Sequence, residues 1–181
     1  MNYYSKIFCF CSRTEIITSS GIRIIEQIKP NDIVISYNQN LGITEEVRVE
    51  RTAISMHSMI AKITFKNNNS VKCTIDHPFW VVGKGWCSII PVTSNENYDL
   101  QVNQLLIDDK CIFFDNHLFS EVKITHIGNI FGDFKMYIIS GGTNHCFFAN
   151  GILVHDENLQ NLKLTRENVE ISDSKVMQNL I

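Results

Sequence analysis

Short apolar segments alternate with turn residues along most of the chain. The segments are rich in Ile, Val, Phe and Thr, and they lie at residues 15–18, 22–28, 32–37, 47–54, 60–65, 71–75, 135–140 and 146–149. Polar turn sequences separate them, and one of these turns is Asn150-Gly151, a strong signal for a β-hairpin. Many short strands with little helical periodicity predict an all-β fold.

The pattern changes after Asp156. Residues 157–181 are polar, and their apolar positions have an irregular, only partly helical spacing. We expect a C-terminal flank or tail there, either as loop or disorder or with a short amphipathic helix near its end. Residues 1–8 form a short N-terminal flank, which leaves 9–156 as the domain. Within it, 28–34 and 100–106 share one apolar, turn, apolar layout, which indicates two pseudo-symmetric halves or a chance similarity.

Composition narrows the function classes. The 181 residues are 44% hydrophobic and 19% charged, which is typical of one globular domain. A formal net charge of -3 without a basic cluster argues against a nucleic-acid surface. Because the sequence has no apolar run of membrane-spanning length and no signal-peptide pattern, we expect a soluble chain. We also expect a monomer that needs no cofactor.

The six cysteines are scattered and form no Cys-x-x-Cys pair. The six histidines show no paired spacing either, so we expect no metal site. A disulfide set would require an oxidising compartment. The simplest interpretation of most of these thiols is that they are small buried hydrophobic residues.

Three motifs carry candidate chemistry, and they occur in a fixed order. They are Cys9-Phe10-x-x-x-Thr14, then Thr74-x-x-His77-Pro78-Phe79, and finally the segment 144–156, which reads Asn-His-Cys-Phe-Phe-Ala-Asn-Gly-Ile-Leu-Val-His-Asp. Together they resemble the Hint superfamily, which comprises inteins, bacterial intein-like domains and the self-processing domain of hedgehog proteins. The resemblance spans Cys9 to Asp156. It implies a flattened horseshoe of short strands whose first and last strands are central and adjacent.

At the N-terminal junction, the resemblance implies that the Cys9 thiol attacks the carbonyl group of Phe8 and converts an amide into a thioester. The Thr74 hydroxyl would hydrogen-bond the scissile peptide. The His77 imidazole would protonate the departing amine, because its pKa lies near neutrality.

At the C-terminal junction, family members end in His-Asn, and this Asn cyclises to release the downstream segment. Here the residue is Asp156, whose carboxylate is a poorer nucleophile, so cleavage would be slow, altered or absent, although a cyclic anhydride route exists. His155 and His145 would polarise the carbonyl group and move protons. Glu157 cannot accept an acyl group as a second nucleophile, which favours cleavage over splicing. Water, an external thiol or an external amine would then resolve the thioester.

Two other interpretations stay open. One is a catalytically inactive Hint-fold module that binds a partner, and the other is a Cys-His hydrolase that acts on other proteins. Cys11 has no role in the motif, but a disulfide to Cys9 would switch the nucleophile off. The remaining histidines, His57, His117 and His126, are expected at the surface or in structural roles, and a reducing cytosol suits a free Cys9 thiol.

Overall fold

The computed structural model describes residues 7–98, 100–115, 117–142, 144–157 and 169–173. Its strands are β1 Phe10–Cys11, β2 Glu15–Thr18, β3 Gly21–Ile24, β4 Ile33–Asn38, β5 Ile43–Arg48, β6 Arg51–Phe65, β7 Ser70–Cys73, β8 Phe79–Val81, β9 Gly85–Ser88, β10 Asn103–Gln104, β11 Lys110–Asp115, β12 Leu118–Ser140, β13 Cys146–Ala149, β14 Ile152–His155 and β15 Val169–Asp173. One helix, α1, spans Pro91–Tyr98, and a 3-10 turn spans Ile25–Gln27. The predicted all-β fold is confirmed. Within the described ranges, no helix is long and apolar enough to cross a membrane.

The two longest strands form the frame on which the N-terminal part of the site is built. β6 and β12 pair antiparallel, with register from Ile124 opposite Phe65 to Ser140 opposite Arg51. Two register shifts interrupt the ladder, and the second lies between Phe131 and Phe134. β1 lies between β7 and β12, so the residues just before it are enclosed in the sheet.

The C-terminal hairpin is explained by its turn residues. Asn150 and Gly151 have φ values of 48° and 74°, the positive values that a two-residue hairpin turn of this kind needs. A Cβ atom at position 151 would lie 2.5 Å from the Phe113 ring, so the site also requires glycine for space. The turn joins β13 and β14, whose residues are all buried. The predicted hairpin is confirmed.

Some predicted strands have different limits. The segment 22–28 ends as a strand at Ile24, where the 3-10 turn begins. The segment 47–54 is two strands, because the backbone N–H groups of Val49 and Glu50 donate to Asp32 and Ser140 outside the ladder. The sequence pattern missed β8 to β11, α1 and residues 118–134 of β12.

Two expectations about the ends of the chain are wrong. β1 and β14 do not pair with each other, because β14 pairs with β8, β11 and β13. Contact between the ends is made instead by the residues that flank these strands. In the tail, Val169–Asp173 forms β15 along the edge of β6, where we expected loop or helix. The helix proposed near the end of the tail lies outside the described residues.

The residues of the core agree with the sequence-based predictions. Phe79, Trp86, Phe147 and Phe148 are buried, as predicted for core aromatics. Trp80 packs against the cluster that contains Trp86 and Phe148. All six cysteines are buried free thiols. A separate apolar cluster surrounds the N-terminal motif and consists of Ile7, Cys9, Cys11, Ala53, Ile60, Met136 and Ile138. The candidate nucleophile therefore lies in a hydrophobic environment.

Candidate active site

The backbone of Cys9 is fixed by Thr74, the first residue after β7. The Cys9 N–H donates to the Thr74 hydroxyl at 3.3 Å, and the Thr74 N–H donates to the Cys9 carbonyl at 3.0 Å. These two bonds extend the β1–β7 pairing by one residue. The nitrogen of the Phe8–Cys9 peptide bond is thus held against a hydroxyl group.

The Cys9 thiol is fully buried. Its Sγ atom lies 3.3 Å from the Ile7 carbonyl oxygen, to which it donates, and 3.5 Å from Nε2 of His57. Burial raises the pKa of the Cys9 thiol, and the nearby carboxylates of Glu157 and Asp76 raise it further. The thiol is therefore protonated at neutral pH, so its attack on a carbonyl requires a base.

His57 is the group placed to act as that base, and no sequence motif indicated it. It lies in the middle of β6, opposite Phe134 of β12. Burial lowers the pKa of His57 to about 4, so the ring is neutral at pH 7 and can accept a proton. Only the pairing of β6 with the sheet brings it to the thiol, which is why the sequence left it among surface or structural residues.

The turn after β7 carries a second group that the sequence did not reveal. Asp76 is 4% exposed, and burial raises the pKa of its carboxyl to about 6, with a hydrogen bond from Thr74 offsetting part of the effect. The Ser94 hydroxyl donates to the Asp76 backbone carbonyl at 2.7 Å and holds the turn against α1. A carboxyl that titrates near neutrality therefore lies beside the hydroxyl that binds the Cys9 backbone nitrogen.

His77 closes the same turn, since its N–H donates to the Thr74 carbonyl at 3.2 Å. Its ring lies 5.3 Å from the Phe8 ring and 4.1 Å from the Phe10 ring, between centroids. Residues on both sides of Cys9 therefore contact it. Burial lowers the pKa of His77 to about 3, so the imidazole is neutral and the expected pKa near neutrality is wrong.

The tautomer of His77 is set by its partner. Its Nε2 lies 3.1 Å from the His155 backbone carbonyl oxygen, which only accepts hydrogen bonds, so Nε2 carries the hydrogen. Nδ1 then has a lone pair, and it has no hydrogen-bond partner within the described part of the chain. This nitrogen is available to take up and return a proton.

At the C-terminal junction, His155 contacts the carbonyl of the Asp156–Glu157 bond. Its Nδ1 lies 2.7 Å from the Asp156 carbonyl oxygen, and because that oxygen accepts, Nδ1 donates. Burial lowers the pKa of His155. The ring packs edge-on against Trp86 and is stacked on His145. A buried N–H group is thus directed at the carbonyl that would react.

Both oxygens of the Asp156 carboxyl group have donors or contacts. Oδ2 accepts the Gly141 N–H at 3.0 Å, and Oδ1 lies 3.3 Å from Nδ1 of His145. The hydrogen bond to Asp156 raises the pKa of His145, whose side chain is half exposed. A Cβ at Gly141 would overlap the Arg48 carbonyl oxygen, so glycine is needed for this close approach.

Finally, the two junctions touch. The Phe8 N–H donates to Oε2 of Glu157 at 2.5 Å. The structure connects all six residues predicted for the site: Cys9, Thr74, His77, His145, His155 and Asp156. It adds three to which the sequence assigned no role there: His57, Asp76 and Glu157. Among the described residues, no group of three His, Cys, Asp or Glu side chains is arranged to hold a metal ion.

Solved structures with the same architecture are inteins or intein-like domains by name. A bacterial intein-like domain from Clostridium thermocellum superposes with a TM-score of 0.66 and 24% identity, covering 82% of this chain and 98% of that domain. A DnaB intein from Synechocystis sp. PCC 6803 gives a TM-score of 0.67 and 17% identity, with coverage of 82% and 98%. The gp41-1 intein gives a TM-score of 0.63 and 23% identity over 82% and 98%. The chain therefore has the Hint fold.

A family assignment comes from sequence. The AXH family, described as the Ataxin-1 and HBP1 module, matches residues 10–116, more than half of the chain, and the chain belongs to that family. Human ataxin-1 is 24% identical over 106 residues, which are 53% of this chain and 12% of ataxin-1. Rat ataxin-1 matches equally, over 13% of its own length. The chain thus spans a small part of these relatives, and the family match includes neither Cys9 nor the segment 144–156.

Proposed function

We propose that the chain processes itself, by an N-to-S acyl shift at Cys9 that makes the Phe8–Cys9 bond cleavable. The Cys9 sulfur attacks the Phe8 carbonyl carbon, an S–C bond forms and the C–N bond to Cys9 breaks. The observation that carries this proposal is that Cys9 contacts two polar side chains. Its N–H donates to the Thr74 hydroxyl, and its thiol contacts the His57 ring.

The protons balance over the whole step when exchange with water is included. The thiol proton passes to the neutral His57 ring, which later returns it to water. The departing Cys9 nitrogen takes up one proton to leave as an amine, and His77 supplies it through Nδ1 after taking up a proton from water. Since a buried imidazolium is a strong acid, the transfer to an amine is downhill. Thr74 holds the nitrogen in place while its geometry changes.

The thioester would then be resolved by a small nucleophile. Water attacking the Phe8 carbonyl carbon gives a free carboxyl group at Phe8 and restores the Cys9 thiol, while an external thiol or amine gives an exchanged acyl product. This reaction needs no cofactor, and its substrate is the flanking segment of the chain itself. Each molecule acts once.

We propose a slower cleavage at the second junction. The Asp156 carboxylate attacks its own backbone carbonyl carbon and closes a five-membered anhydride. The C–N bond to Glu157 breaks, and its nitrogen takes a proton from water to leave as an amine; water then reopens the anhydride to aspartate. The His155 N–H at 2.7 Å stabilises charge on the carbonyl oxygen. The contacts with the Gly141 N–H and with His145 fix the position of the carboxylate.

Ligation of the two flanks is not part of this proposal. Splicing requires a thiol or hydroxyl group on the residue after the C-terminal junction, and Glu157 has neither. Its carboxylate binds the Phe8 N–H instead. Cleavage at one or both junctions is the outcome that these residues support.

A second candidate is a Hint-fold module that binds a partner without processing. The family match favours it, because residues 10–116 include neither junction. The third, a hydrolase for other proteins, has less support, since Cys9 is 0% exposed and another polypeptide cannot reach it without opening the sheet.

The test uses the full chain with one stable reporter fused before residue 1 and another after residue 181. Intact masses are followed at neutral pH with and without an added thiol, for the wild type, Cys9→Ala and the matched control Cys11→Ala. We expect a fragment ending at Phe8 from the wild type and Cys11→Ala, and none from Cys9→Ala. A wild type that stays intact for days, with a cooperative folding transition, would support the binding module instead.

A further inference from the structure

Glu157 belongs to neither motif at the N-terminal junction, yet it contacts the residue that would leave from there. It is 1% exposed, and its Oε2 accepts the Phe8 N–H at 2.5 Å. Its own N–H donates to the Ile139 carbonyl of β12 at 3.2 Å. A buried carboxylate is thus fixed by the frame of the sheet and directed at one backbone amide.

The hydrogen bond between Phe8 and Glu157 joins residues from the two ends of the domain. Phe8 is the last residue before one scissile bond, and Glu157 is the first residue after the other. The hydrogen bond therefore joins the two flanks to each other, across the domain that would separate from both. Cleavage of the Asp156–Glu157 bond would remove the covalent link that keeps Glu157 at this position.

The bond also acts close to the reacting atom. The Phe8 carbonyl carbon is two bonds from the nitrogen that Glu157 holds, and the Phe8 ring is packed against His77 and His155. Contacts to both the amide and the ring restrict the orientation of the Phe8 carbonyl group next to Cys9. Hydrogen bonds to charged acceptors are the stronger ones in proteins, so this restraint is substantial.

Resting on the proposed function, we infer that Glu157 is a positioning residue for the acyl shift at Cys9, and that it orders the two cleavages. The N-terminal junction reacts well only while the C-terminal junction is intact. Cleavage at Asp156–Glu157 first would free Glu157 from the Phe8 amide and leave the N-terminal segment poorly oriented. The productive order is therefore N-terminal cleavage and then C-terminal cleavage.

Two variants of Glu157 separate the hydrogen bond from the charge. Glu157→Gln keeps an oxygen acceptor and removes the negative charge that opposes ionisation of the Cys9 thiol. Glu157→Ala removes both. Glu46→Ala, at an exposed position of β5, is the matched control.

The experiment measures the appearance of the fragment ending at Phe8 from the doubly fused full chain. We expect Glu157→Ala to slow it about 10- to 100-fold, the range for losing a hydrogen bond to a charged group. Glu157→Gln and Glu46→Ala should stay within about threefold of the wild type. In Glu157→Gln the neutral acceptor makes a weaker bond, but loss of the charge that raises the Cys9 pKa offsets that weakening. Hydrogen exchange of the Phe8 amide, measured in a Cys9→Ala background, should speed up in Glu157→Ala and not in Glu157→Gln.

The outcomes distinguish this inference from the proposed function. A wild type that cleaves, with Glu157→Ala cleaving equally fast or with Glu157→Gln as slow as Glu157→Ala, overturns the positioning role and leaves the acyl shift in place. Accumulation of the C-terminal product before the N-terminal one in the wild type overturns the order. A wild type that never cleaves at Cys9 overturns both proposals.

Discussion

The buried carboxyl of Asp76 makes a quantitative prediction about stability. Its pKa rises from 3.8 to about 6 because the side chain is buried. At 1.36 kcal/mol for each pKa unit, a shift of roughly two units corresponds to about 3 kcal/mol. Because the pKa is raised in the folded state, this stability is fully present below about pH 4 and is lost as the pH rises through about 6.

The perturbation is Asp76→Asn, which removes the titration and keeps a side chain of the same shape. Relative to the variant, the wild type should lose about 3 kcal/mol of unfolding free energy between pH 4 and pH 7.5. Both chains keep His77, whose lowered pKa acts in the opposite direction, so its contribution cancels in the difference.

The assay is urea unfolding across this pH range in a Cys9→Ala background, where cleavage cannot interfere. Asp133→Asn, at an exposed position of β12, is the control and should behave like the wild type. Parallel pH curves for the wild type and Asp76→Asn would refute the reasoning, since they would mean that Asp76 is solvated or paired in the folded state.

Three further variants test the site. His57→Gln should slow N-terminal cleavage about 100-fold or more, as expected on losing a general base, while His126→Gln should have no effect; equal rates would exclude His57 as the proton acceptor. Thr74→Ala should slow the same step about tenfold, and Thr74→Ser should react at the wild-type rate. Equal slowing in both variants would mean that the methyl group of Thr74 is needed and the hydroxyl is not. Gly141→Ala, which makes a Cβ overlap the Arg48 carbonyl oxygen, should cost several kcal/mol in urea unfolding, and a cost below about 0.5 kcal/mol would refute the packing argument.

The sequence was informative wherever chemistry and local structure coincide. Asn150-Gly151 specifies its own turn, and the Thr74-x-x-His77 spacing places a hydroxyl and an imidazole in one tight turn. The order of the three motifs was sufficient to indicate the Hint fold. In each case, the information lies within a few neighbouring residues.

The sequence was uninformative where contacts between distant parts of the chain determine the position or burial of a residue. His57 reaches Cys9 only because β6 is a long strand that crosses the sheet in one particular register. Asp76 acquires its raised pKa from burial, and burial of a single carboxyl beside a motif has no local signature. Glu157 resembles the start of a polar tail in sequence, because the contact that buries it comes from the opposite end of the chain.

The predicted ends of some strands were wrong for a similar reason. Only residues 135–140 of β12 were expected as a strand, yet β12 spans Leu118–Ser140, because pairing with β6 and β11 supports polar residues in a strand that propensity alone would not. The short strand β15 in the tail is likewise defined by the open edge of β6.

The measurement that tests self-processing at Cys9 most directly is capture of the thioester. Hydroxylamine is added to the doubly fused chain at neutral pH, and the N-terminal fragment is identified by mass. We predict a fragment that ends at Phe8 as the hydroxamate in the wild type and its absence in Cys9→Ala. No fragment ending at Phe8 from a folded wild type, or the same fragment from Cys9→Ala, would contradict the acyl shift.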